Sequence, residues 1–204
     1  MKFLAISTLA AALLALAGCG QQASAKPESV FKPTASIQEI MVSIVDPNAD
    51  EVWNAVASVS TAAGTEDKQP HSDEEWAKVR RHAVTLLEAT NLLLIEGRSV
   101  APKGASTSSV AAELNPEEIQ KGIAAKHADF VQHVHALHDT VQQAIVAIDA
   151  KNAEELVKVG GNIDQVCEQC HKQFWYPNDK LPTAANDLGV QSGSSLYLKL
   201  RKAA

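Results

Sequence analysis

Apolar side chains recur along this chain every three or four residues, and this spacing constrains its fold more than any other feature. Residues at i, i+3, i+4 and i+7 lie on one face of an α-helix, so each such run predicts an amphipathic helix. The first run comprises Ile37, Ile40, Met41, Ile44 and Val45. Three further runs follow it, and the chain is therefore predicted to be all-α.

The dipeptide Asp46-Pro47 interrupts the first predicted helix. Asp46 is suited to cap a new helical turn, and Pro47 to occupy its first position, where a backbone N–H is not needed. The helix is then expected to continue through Val52, Trp53, Val56 and Val59. Residues 62–71, with Gly64 and Pro70, are predicted to connect it to the second helix.

Capping signals mark the starts of the second and third predicted helices. Ser72 and Glu75 have the spacing of a capping box, and Asn115 is predicted to cap the third helix with Pro116 at its first position. The apolar stripe of the third helix comprises Ile119, Ile123, His127, Phe130, Val134, Leu137, Val141, Ile145 and Ile148. The fourth helix is predicted over residues 153–176. Four such helices with short connections predict an up-down-up-down antiparallel four-helix bundle.

The first nineteen residues have the pattern of an export signal. A positive start at Met1 and Lys2 precedes an apolar run, residues 3–16, which is shorter than a membrane-spanning helix. The segment Leu16-Ala17-Gly18-Cys19 resembles the bacterial lipobox, in which cleavage precedes the cysteine and the cysteine is then acylated. Gly20 resembles the sorting pattern for the outer membrane of a Gram-negative cell. An ordinary signal peptide with an incidental cysteine is the alternative.

These signals predict a chain of four parts. Residues 1–18 are a signal peptide of the lipoprotein type, and residues 19–35 are a tether. Residues 36–177 form the helical domain, and residues 178–204 are a C-terminal extension without a strong period. The mature protein is accordingly expected in the periplasm, anchored through Cys19 to a membrane, with the outer membrane favoured.

The other two cysteines lie in the sequence Cys167-Glu168-Gln169-Cys170-His171. C-x-x-C-H is the attachment signature of c-type haem. The two thiols add to the vinyl groups of the porphyrin, and the histidine supplies the proximal nitrogen to iron. One covalent haem c is therefore predicted, in agreement with export, because bacteria attach c-type haem outside the cytoplasm.

Two other uses of this motif stay open. A thioredoxin-like dithiol expects a βαβ context, and no alternating strand pattern lies near the motif. A structural zinc site needs a second pair of ligands, for which the histidine-rich stretch His127–His138 is the available source.

The haem motif and the helix order resemble those of the cytochrome c-prime and cytochrome c556 family. The similarity covers about residues 36–176 and rests on residues 166–175, the helix order and Gln38-Glu39-Ile40-Met41. It implies a monohaem cytochrome that carries single electrons. Members of the c556 type place a methionine of helix 1 on the iron, whereas five-coordinate members bind NO and CO. Trp175 departs from the family, which often has a basic residue there.

The levels of residues in the predicted bundle favour Met41 as the sixth iron ligand. His171 is about 5 residues from the end of helix 4, or roughly 8 Å along its axis. Met41 is about 5 residues into helix 1, which begins beside that end. It is also the only methionine once Met1 leaves with the signal. His82, His127 and His138 lie at other levels.

The remaining histidines are predicted to have structural roles. His127 lies on the apolar stripe of helix 3 and is expected in the core. His133, His135 and His138 are expected to face solvent, where His135 and His138 have a spacing that suits a surface metal ion.

Charge limits the classes of partner. The sequence has 18 Lys and Arg against 24 Asp and Glu, a formal net charge of −6. Because no basic stripe is present, nucleic-acid binding is not expected. Redox partners are expected to be basic proteins, and both monomer and homodimer stay open. No distal acid or base is identified, so an electron carrier is predicted rather than an enzyme.

Overall fold

The computed structural model describes residues 30–61, 64–105 and 113–178. The chain divides into the units Met1–Lys32 and Pro33–Ala204, and the account below concerns the second. Cys19 and most of the predicted tether and C-terminal extension lie outside the described residues. Among those residues, no helix is long and apolar enough to cross a membrane.

The prediction of a mainly helical chain is confirmed, with the addition of one small hairpin. The elements in chain order are α1 (Ile37–Ile40), a π-helical segment (Met41–Val45), α2 (Asp46–Ala55), β1 (Ala57–Thr61), β2 (Gly64–Lys68), α3 (Asp73–Leu93), α4 (Pro116–Ala125), α5 (His127–Asp149) and α6 (Ala153–Phe174).

Capping boxes form at the predicted residues Ser72 and Asn115. A third box, which sequence analysis did not identify, starts α1. The Glu39 N–H donates to Ser36 Oγ (3.2 Å), and the Glu39 carboxylate accepts from the Ser36 N–H (2.8 Å). This backbone hydrogen bond lowers the pKa of Glu39. Because Ser36 is buried, the box fixes the start of the helix that carries Met41.

The helix from Ile37 to Ala55 changes geometry at Met41 rather than being capped anew at Asp46. The Asp46 N–H donates to the Met41 carbonyl, a bond across five residues that defines a π-turn. Pro47 explains the π-turn, because its ring would collide with the Ser43 carbonyl in a regular α-helix. The wider turn relieves this collision. The predicted cap was therefore wrong, since Asp46 is itself helical.

The predicted continuation of the first helix to Val59 was also wrong. The chain becomes extended at Val56, and β1 pairs antiparallel with β2. Val59 and Thr61 are β-branched, which favours strand over helix. Gly64 turns the chain with φ +132°, a value that side chains disfavour.

The predicted third helix starts as expected but consists of two helices. Lys126 has non-helical dihedral angles (φ −125°, ψ 44°) and separates α4 from α5. This break shifts the phase of the apolar stripe. Ile123 and Phe130 are buried on either side of it, whereas His127, predicted in the core, is exposed.

Helix α5 makes the central contacts of the core, packing along both α6 and α3, while α2 packs against α3. The predicted extent of the fourth helix is confirmed to within two residues, since α6 covers Ala153–Phe174. On its inward face Leu156, Val159, Ile163 and Phe174 are buried, whereas Val166, Cys167 and Cys170 are half-buried. The inward face of α6 thus extends to the Cys167-x-x-Cys170-His171 motif.

Close packing between α2 and α6 depends on one glycine. Trp53 Nε1 donates to the Gly160 carbonyl (2.9 Å), and a Cβ at Gly160 would lie 3.1 Å from Trp53 Cδ1. The next residue, Gly161, has nothing within 4 Å of a Cβ position. The two glycines therefore differ in packing although both lie inside the same helix.

We expect Gly161→Ala to stabilise the fold by up to about 1 kcal/mol, because alanine is the better helix former. Gly160→Ala gains the same propensity but overpacks against Trp53, which costs about 1–3 kcal/mol. Unfolding in urea should place the Gly160→Ala variant below the Gly161→Ala control. Equal midpoints for the two variants would contradict the packing role of Gly160.

Candidate cofactor site

A cavity of about 350 Å³ lies against the carboxyl-terminal half of α6. Its size is within the range of small-molecule and cofactor sites. The residues of the sequence motif, Cys167, Cys170 and His171, line it. Met41, which a separate argument singled out, lines the same cavity from the π-helical segment. The structure thus brings Met41 to the motif residues, although about 130 positions separate them in the sequence.

Apolar side chains form most of the cavity wall. They come from four elements besides α6 and include Val45, Ala49, Trp53, Leu93, Phe130, Val134 and Leu137. Such a wall excludes water from a bound group and matches the flat hydrophobic body of a porphyrin.

Cys167 and Cys170 are half-buried free thiols. Burial raises the pKa of each to about 12, and the nearby Asp164 carboxylate adds to the shift at Cys167. A redox dithiol acts as a thiolate, which this environment disfavours. A neutral thioether, the product of haem attachment, carries no such cost. Among the described residues, no cluster of three His, Cys, Asp or Glu suits a metal ion.

His171 lies one helical turn before the carboxyl end of α6. Its ring makes an edge contact with the Trp175 ring at a centroid distance of 5.5 Å. Its carbonyl accepts from the backbone N–H groups of Trp175 (2.8 Å) and Tyr176 (3.2 Å). These contacts hold the histidine at the cavity with an aromatic residue, rather than a basic one, beside it.

Met41 occupies the first position of the π-helical segment. Its side chain is half-buried and packs against the core, whereas the following residue, Val42, is 68% exposed. Methionine has three rotatable bonds, and its sulfur can therefore adjust to a bound group. π-turns inside α-helices occur frequently at functional sites. Sequence analysis selected Met41 as a candidate ligand but did not predict the π-helical geometry of its backbone.

Four carboxylates line the cavity, namely Asp46, Glu113, Asp164 and Glu168. No lysine or arginine lines it within the described part of the chain. Tyr176 Oη donates to Glu168 Oε2 at 2.6 Å. Glu113 Oε2 is buried and has no hydrogen-bond partner among the described residues. The lining residues therefore place an excess of negative charge at the cavity, which is offset at Glu168 by an ion pair with Lys172 (3.6 Å).

His133 also lines the cavity, which corrects the prediction that it faces solvent. Its Nε2 lies 2.7 Å from Gln173 Oε1, and its ring meets the Phe174 ring edge-on at 6.1 Å. The sequence contained a usable signal, because His133 follows Phe130 by three residues and precedes Leu137 by four.

The other histidines lie away from this cavity. His135 is exposed as predicted, and His138 is half-buried beside Asp139 (3.4 Å). His82 Nδ1 lies 2.8 Å from Asn48 Oδ1.

Comparison with known protein families, curated proteins and solved structures finds no match. The chemistry of the donor set therefore carries the functional argument. Two neutral thiols, one imidazole and one thioether border a single apolar cavity, and this set fits haem c.

Proposed function

We propose that this protein is a monohaem c-type cytochrome that carries single electrons in the periplasm. The observation that carries the proposal is the cavity shared by the Cys167-x-x-Cys170-His171 motif and Met41. In this proposal the helical segments α1–α2, α3, α4–α5 and α6 form an up-down-up-down four-helix bundle around the haem. Their packing in the described core supports that arrangement.

Each site residue has a distinct role in this proposal. Cys167 and Cys170 hold the haem through thioether bonds, and His171 binds the iron on the proximal side. Met41 supplies the sixth ligand, which raises the reduction potential and closes the iron to other ligands. Bound haem supplies a one-electron Fe(III)/Fe(II) couple. The chain keeps this couple dry through its apolar wall, while the four carboxylates favour the oxidised form.

Optical spectra of the purified protein test the proposal. We expect oxidised and reduced spectra of low-spin iron that carbon monoxide leaves unchanged, because Met41 occupies the sixth position. High-spin iron that binds carbon monoxide would instead support a five-coordinate gas-binding protein of the c-prime type. Protein without haem, matured in a host that attaches c-type haem, would contradict both functions.

Export and anchoring are proposed from the sequence alone, since Cys19 lies outside the described residues. The acidic chain suits basic redox partners, which it would meet at the membrane surface. In this role it is an electron carrier, not an enzyme. The mass of the purified protein in solution determines whether it is a monomer or a homodimer.

Cys19→Ser is expected to abolish acylation and release the protein from the membrane fraction, because serine lacks the thiol that receives the acyl chain. Metabolic labelling with a fatty acid and cell fractionation measure the two effects. Gly20→Asp is the matched control, in which acylation persists but the outer-membrane sorting pattern is lost. Unchanged acyl labelling in the Cys19→Ser variant would refute the lipoprotein assignment.

A further inference from the structure

Three half-buried side chains form a hydrogen-bond chain that starts at the cavity. His133 Nε2 lies 2.7 Å from Gln173 Oε1, and Gln173 Nε2 donates to Asp129 Oδ2 at 2.7 Å. His133 lines the cavity, whereas Asp129 does not. None of the three residues has a role in haem attachment or iron ligation.

The order of donors in this chain determines which nitrogen of His133 carries a proton. The Asp129 carboxylate only accepts hydrogen bonds, so the Gln173 amide presents its NH₂ group to Asp129 and its oxygen to His133. His133 Nε2 must therefore be protonated and donate. In the neutral imidazole Nδ1 then has a free lone pair. No described protein group is hydrogen-bonded to Nδ1.

Several titratable groups line the cavity together with His133. The titratable groups lining the cavity with His133 are Asp46 on α2, Glu113 before α4, and Asp164, Glu168, Cys167, Cys170, His171 and Tyr176 on or just after α6. Asp129, on α5, is itself the last member of the hydrogen-bond chain. From α3, only the apolar Leu93 lines the cavity. An added electron therefore enters a region with four carboxylates, of which Glu168 is paired with Lys172 (3.6 Å), and no lysine or arginine lines the cavity within the described residues. A positive charge on His133 would offset it.

We propose that His133 Nδ1 is a proton-binding site that couples proton uptake to reduction of the protein. This inference rests on the proposed electron-carrier function. One electron arrives from a redox partner, and one proton from solvent binds to Nδ1. The Nε2–H bond to Gln173 is retained, and no covalent bond other than N–H forms. Histidine is suited to this task because its charge changes near neutral pH.

The midpoint potential of the haem-loaded protein, measured from pH 5 to pH 8, tests the proposal. Coupling to one proton changes the ratio of reduced to oxidised protein up to tenfold per pH unit, or about 59 mV. We expect wild type to show such a slope. His133→Gln keeps an N–H donor for Gln173 but removes the titrating nitrogen, and should abolish the slope. His135→Gln, an exposed histidine on the same helix, is the matched control and should retain it.

Asp129→Asn provides a second variant that keeps an acceptor for the Gln173 amide while removing its charge. The hydrogen-bond chain to His133 is kept, so the slope of the potential with pH should persist in this variant. Proton uptake on reduction of wild type, followed with an indicator dye, gives a readout that needs no variant. It should be a substantial fraction of one proton per electron within the sloping region.

A potential independent of pH in wild type would overturn the proposal. So would a slope that survives His133→Gln. If that surviving slope disappears in Glu113→Gln, Glu113 is the proton site instead. The haem spectrum separates this failure from failure of the proposed function. Haem-loaded protein with a pH-independent potential refutes only the proton site, whereas absence of haem from wild type refutes both.

Discussion

Replacing Cys167 and Cys170 together with serine is expected to reduce covalently bound haem to background. A serine hydroxyl does not form the thioether bond, and among the described residues no other cysteine lines the cavity. The double variant should therefore lose its haem on acid-acetone extraction and show no haem stain after denaturing electrophoresis. Wild type treated in the same way should retain its haem.

Cys19→Ser is the control for this experiment, because it removes a cysteine outside the proposed haem site and should leave haem attachment intact. The serine side chains are close in size to cysteine, so the double variant should still fold, which circular dichroism of its helices would check. Covalent haem that persists without Cys167 and Cys170 would disprove the attachment site. Haem that washes entirely out of wild type would disprove the central assignment.

Met41→Ala is expected to convert low-spin iron to high-spin iron and to lower the reduction potential. Loss of the thioether leaves the sixth position open, so carbon monoxide should bind readily to the reduced variant. Met41→Leu is the more conservative change, since it preserves volume and removes only the sulfur. Both variants should give the same change of spin state if ligation, rather than packing, is the cause.

Ser43→Ala is the matched control for Met41, because Ser43 belongs to the same π-helical segment, is exposed and does not line the cavity. Its spectrum should equal that of wild type. Two results would favour the gas-binding alternative. One is a wild-type protein that is already high-spin, and the other is a Met41→Ala spectrum identical to that of wild type. Met41 would then be a packing residue beside the haem.

Local sequence signals predicted the starts of three helices correctly. Ser72, Asn115 and the helix start near Ala153 were found because a cap depends on residues three or four apart in the chain. The inward face of α6 was found for the same reason, since helical periodicity is a local property. The Cys167-x-x-Cys170-His171 motif is likewise contained in five consecutive residues.

Features that depend on competing local preferences were not predicted. Val56 and Val59 have spacings compatible with a helix, yet the chain leaves the helix and forms a hairpin. The break at Lys126 contains neither proline nor glycine that would signal it in the sequence. It nevertheless moved His127 out of the predicted core.

The amino-acid sequence alone determined the helical character of the chain and the residue types of the candidate site, because each depends on residues near one another in sequence. The export signal stays a prediction from the sequence. Only the tertiary structure decided which distant side chains share the cavity. Packing of α5 against α6 placed His133 beside Gln173, forty positions away, and clustered four carboxylates around the motif. Periodicity specifies which face of a helix is buried, but the neighbouring helices determine what that face meets.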